Sequence, residues 1–78
     1  MDLLPDRETL IELLGHRMPF GKYAGTRLLD LPEAYLAWFG RQGMPKGRLG
    51  MLMATALVVR SNGLVPMCRE LGRTLGIE

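Results

Sequence analysis

The sequence predicts a small α+β domain, mainly α, with about four helices and one short β-hairpin (about 18–28) packed on them. Three observations lead there. Leucines at helical spacing open the chain, two extended-reading stretches flank a glycine turn at 21–25, and an uncharged apolar segment fills 49–59. Its 78 residues make one domain, 1–78, near the lower end of what a single core holds together. Apolar content of 47% suits a globular chain, and 23% charged residues argues against wholesale disorder.

The first helix is expected over about 5–15. Leu10, Leu13 and Leu14 recur at i, i+3 and i+4, with Ile11 beside them and Glu8 and Glu12 on the polar side. Pro5 and Asp6 suit its start and Gly15 its stop, and acids in the first turn match the positive end of the helix dipole. Pro19 then excludes a central strand but allows a short edge strand. Gly21-Lys22-Tyr23-Ala24-Gly25 forms a compact turn, and Thr26-Arg27-Leu28 resumes an extended pattern, giving the hairpin.

Asp30-Leu31-Pro32-Glu33 reads as the start of a second helix running to about Gln42. Asp30 serves as its cap, Glu33 completes an Asp-x-x-Glu capping box, and Gly43 is the stop. Tyr35, Leu36 and Phe39 share one face, with Trp38 near its edge, a stripe that more often builds core than a ligand platform. A third helix over 46–61 is apolar nearly all round, so it is central or meets a second copy of itself. Asn62-Gly63 ends it. Pro66 opens a fourth helix over about 65–75, with Leu71 and Leu75 inward, Met67 and Cys68 beside them, and Arg69 and Arg73 outward.

The chemistry of catalysis finds little to use. One histidine (His16), one serine (Ser61) and one cysteine (Cys68) are spread along the chain, and no nucleophile, base and orienting group stand in a recognisable pattern. A single His and a single Cys do not furnish a zinc site, so neither a metal nor a cofactor is expected, and the chain reads as no enzyme. One cysteine makes no intramolecular disulfide. The N-terminus lacks the basic-then-apolar order of a signal peptide, and the apolar run at 49–59 is shorter than the ~20 residues a membrane helix needs. A cytoplasmic, soluble protein with no membrane partner is the expectation.

Binding is the class of function left open. The net charge of +2 is mild, yet residues 13–29 carry Arg17, Lys22 and Arg27 with no acid, and 34–60 carry Arg41, Lys46, Arg48 and Arg60 with none. Such segments suit phosphate, and they equally suit a solvated basic face. The glycine turn is not a P-loop, which needs G-x-x-x-x-G-K-[ST] between a strand and a helix. Lys22, Tyr23 and Arg27 on the turn, with Arg41, Lys46 and Arg48 on the second helix–helix connection, are the candidate contacts to DNA or RNA. The alternative is that Tyr23 packs and Lys22 is solvated. A homodimer or protein partner is the second expectation, through Trp38, Met51 and Met53.

The blocks MPFGKYAG, LLDLPEAYLAWF, GMPKGRLGMLM and NGL, in that order over residues 18–64, resemble a small bacterial family of unknown function described as putative quorum-sensing-regulated virulence factors. The resemblance implies a link to virulence regulation and no defined biochemical activity. Ala24 departs from the family pattern, which more often has a basic residue there, and this weakens a phosphate-gripping role for the turn. The 18–39 block is also similar to a module appended to exodeoxyribonuclease X-like exonucleases. That similarity implies an accessory role near nucleic acid and carries over no catalytic residue.

Overall fold

The computed structural model describes residues 6–76. Four α-helices follow one another: α1 (Arg7–Gly15), α2 (Glu33–Gln42), α3 (Gly47–Ser61) and α4 (Val65–Thr74), with a 3-10 turn at Leu28–Asp30 before α2. Among the described residues there is no β-strand, so the fold is all-α and the expected α+β hairpin does not form. What remains of it is one isolated antiparallel bridge between Arg17 and Arg27.

The reason lies in the backbone. Leu28 N–H donates to His16 O (3.1 Å) and Met18 N–H to Thr26 O (2.8 Å), bracketing the Arg17–Arg27 pair. The next rung fails because Met18 O takes its bond from Gly25 (2.7 Å), while Thr26 N–H turns away to Tyr23 O (3.0 Å). A short ribbon with a tight loop is the outcome.

α1 starts as its sequence indicates. The Asp6 carboxylate accepts from Thr9 N–H at 2.7 Å, and Leu10, Leu13 and Leu14 are buried. The proposed contribution of Pro5 to this start lies outside the described residues. α2 starts differently from expectation. Its N-cap is Pro32, whose carbonyl accepts from Tyr35 (3.1 Å) and Leu36 (3.2 Å). Asp30 closes the 3-10 turn, and its carboxylate pairs with Arg69 of α4, so the Asp30–Glu33 capping box is not made. Gly43, at φ +115°, ends α2 as read.

α3 is apolar along its length but not enclosed. Leu52, Met53, Ala56 and Val59 are buried, whereas Met51, Ala54 and Val58 face outward. It ends in a Schellman arrangement: Leu64 N–H reaches Val59 O (2.9 Å) and Gly63 N–H reaches Arg60 O (3.1 Å), with Gly63 at φ +69°. α4 lies against α1 and buries Cys68 and Gly72, while Met67 and Leu71 are exposed. The inward placement expected for Leu71 is thus corrected: the small residues face the core, because they let the helix approach closely. Leu75 does pack on the core.

Two guanidinium groups fasten the segment before α2 from the other side. Arg60 of α3 donates to Leu29 O at 2.6 Å, and Arg69 of α4 pairs with Asp30. Arg69 lies at the surface as expected, engaged there by Asp30. Leu28, Leu29 and Leu31 from that segment join Leu10, Leu13, Leu14, Met18 and Leu36 with the α3 residues and Cys68 in one core. Among the described residues no single helix is long and apolar enough to cross a membrane.

Candidate functional site

All five aromatic residues of the chain fall between positions 20 and 39, and four of them form one run of ring contacts. The run begins in the loop of the ribbon. Gly21 and Gly25 adopt φ of +78° and +87°, a region that favours glycine, and the tight turn between them lifts Lys22 and Tyr23 together. Gly21 sits close to α2: a Cβ added there would lie 3.3 Å from the Tyr35 hydroxyl.

Tyr23 meets Tyr35 edge-on at 4.7 Å between ring centroids, Tyr35 meets Phe39 at 5.2 Å, and Phe39 meets Trp38 at 5.0 Å. The i, i+4 spacing of Tyr35 and Phe39 places both on the α2 face turned toward the loop. Lys22 Nζ stands 5.5 Å from the Tyr23 centroid, within cation–π range, so the ammonium is held above the first ring of the run. Trp38, at the far end of the run, is 48% exposed, and Phe20, which has no ring contact in the run, is 44% exposed.

At the base of the loop the bridge sets Arg17 opposite Arg27. Arg17 Nη1 donates to Gly25 O at 2.7 Å, which fixes its guanidinium beside the turn while keeping its charge. The structure thus gathers Lys22, Tyr23 and Arg27 onto one ribbon. Arg41 lies six residues beyond Tyr35 on α2, about 9 Å of helix rise away, and Lys46 is the exposed N-cap of α3. Arg48 is engaged elsewhere, bonded to both oxygens of Glu12.

Of the residues read as an apolar interface, Trp38 and Met51 are exposed, and Met53 is fully buried within the chain. Met53 is core, because it falls on the α3 face shared by Leu52, Ala56 and Val59. Two residues of the ribbon site were not among the candidate contacts: Arg17, noted only as part of a basic segment, and Phe20. The signal for Arg17 was present: a hairpin centred on the glycine turn pairs it across from Arg27. Phe20 carried no such signal, since an aromatic residue after Pro19 reads equally well as packing.

The groups weighed for catalysis stay apart. Cys68 is buried in α4, and burial pushes its thiol pKa up, while Ser61 ends α3 on the surface. Among the described residues no group of three or more His, Cys, Asp or Glu side chains is placed to hold a metal ion.

Residues 6–71 match the family described as "putative quorum-sensing-regulated virulence factor". The chain belongs to this family. The match takes in α1, the ribbon, α2, α3 and α4 as far as Leu71, so the whole aromatic run lies within the family region. An uncharacterized protein, YpeB, of Escherichia coli strain K12 is 48% identical over 71 residues, covering 90% of this chain and 99% of that protein. YpeB of Escherichia coli O157:H7 gives the same identity and coverage. No solved structure matches the chain.

Proposed function

We propose that this family member is a non-enzymatic binding module that docks on nucleic acid through the 17–27 ribbon. The observation that carries the reading is the placement of three cations on one short ribbon. Arg17 and Arg27 occupy facing positions, and Lys22 is held over Tyr23 at the tip. Three cationic side chains carried on one short ribbon make a surface of one sign that attracts a polyanion.

The test is fluorescence anisotropy of a labelled DNA oligonucleotide at several salt concentrations. Binding is expected to weaken linearly on log–log axes, with a slope of about −2 to −3 for three neutralised phosphates. Lys22→Glu is expected to weaken binding at every salt concentration. Absence of binding at low salt overturns the proposal, and unchanged binding by Lys22→Glu removes the loop tip from the site.

A second reading is favoured by one feature outside the ribbon. Met51 and Val58 are 43% and 42% exposed on α3 with Ala54 between them, a small apolar patch bordered by Arg48 and suited to a second copy or a protein partner. Sedimentation showing a monomer at all accessible concentrations counts against self-association.

A further inference from the structure

Building on the nucleic-acid reading, we infer that the ribbon selects single strands over duplex, with Phe20 and Trp38 as the surfaces on which unpaired bases stack. A duplex presents phosphates on its outside and keeps its base faces stacked, so a surface built for it needs cations and little else. A single strand exposes base faces, and proteins that bind it combine a basic track with aromatic platforms.

The ribbon surface carries both parts. Phe20 lies on the loop between Arg17 and Lys22 with 44% of its surface open. It is absent from the core and from the partly buried residues packed against it. Trp38 is 48% open, and it joins the cationic tip through the ring contacts of Phe39, Tyr35 and Tyr23. Each ring-to-ring step is 5.2 Å or less, so the indole and the cationic tip are joined by one packed row of rings. Folding alone gives no reason for these two rings to be so exposed.

Trp38 is the sole tryptophan, so its emission reports directly on this surface. The experiment titrates the full chain with oligothymidylate of about 20 nucleotides, longer than the ~4–16 nucleotides of a small single-strand site, and with a duplex of equal length. Tighter binding to oligothymidylate is expected, with quenching of Trp38 emission by the single strand and little by the duplex. Phe20→Leu and Trp38→Leu, both at exposed positions, are each expected to weaken single-strand binding about 5-fold or more. The salt slope should stay as it was, because the phosphate contacts are untouched. Matching thermal unfolding of the variants separates a lost platform from a lost fold.

Equal affinity for both ligands, or unchanged single-strand binding by the two variants, overturns this inference and leaves the ribbon as a phosphate contact. Failure to bind either ligand at low salt overturns the nucleic-acid reading itself.

Discussion

Arg48 Nε lies 2.9 Å from each carboxylate oxygen of Glu12, and Nη2 closes to 2.6 Å from Oε1, joining residues 36 positions apart. This two-pronged contact fastens the first turn of α3 to α1. Both side chains face solvent, so the pair serves orientation more than bulk stability.

The pair also sets a pH dependence. Hydrogen bonding to Arg48 holds the Glu12 carboxyl below its ordinary value of 4.5, and bonds from Thr9 lower that of Asp6. In both cases the unfolded chain binds protons more readily than the folded one, so stability rises with pH through this window. The contribution is present at neutral pH and is lost as pH falls below about 4.5 and through the lowered folded values. Urea midpoints measured from neutral to acidic pH are expected to show this fall. Glu12→Gln should flatten part of it, and a full-sized fall in that variant would assign the effect to other carboxylates.

Two glycines that look alike in sequence should respond oppositely to alanine. A Cβ on Gly50 would sit 1.7 Å from Pro45 O and 2.9 Å from Pro45 C, so the Met44-Pro45 backbone has to move. Gly50→Ala is expected to destabilise by about 1–3 kcal/mol or more. At Gly40 the nearest atom is Leu57 Cδ2 at 3.4 Å, the end of a flexible side chain, and the helical backbone is ordinary. Gly40→Ala should therefore gain about 0.5–1 kcal/mol from helix propensity. Chemical denaturation of the two variants checks both signs.

The methionines of α3 offer a similar contrast. Met53→Ala removes a fully buried side chain and is expected to cost about 2–5 kcal/mol. Met51→Ala, at a 43% exposed position, should stay within about 0.5 kcal/mol. If the cost of Met53→Ala varied with protein concentration, its side chain would belong to an interface between copies instead of the core.

Much of this fold was legible locally. Asp6 as a cap, the Leu10, Leu13 and Leu14 face, and the stops at Gly43 and Gly63 all depend on residues within one helical turn, which the sequence displays directly. The cationic turn with Lys22 beside Tyr23 was equally readable, because the glycines that shape it are adjacent in the chain. The aromatic run was half visible, as spacing alone placed Tyr35 and Phe39 together.

What only the tertiary structure decided involves choices between a near partner and a distant one. Asp30 has a local role available as a cap for α2, yet it pairs with Arg69, 39 residues away, because the 3-10 turn leaves it too early for the helix. Leu71 has the periodicity of a core residue, but Cys68 and Gly72 face inward because small side chains allow α4 to lie close on α1. The hairpin was lost to a single bond, Gly25 taking the carbonyl that Thr26 needed. By itself the sequence determined the four helices, their stops and the charge of the ribbon, since these follow from neighbours in the chain. Which face each helix buries, and which rings stay open beside Lys22, depended on the space the folded chain leaves.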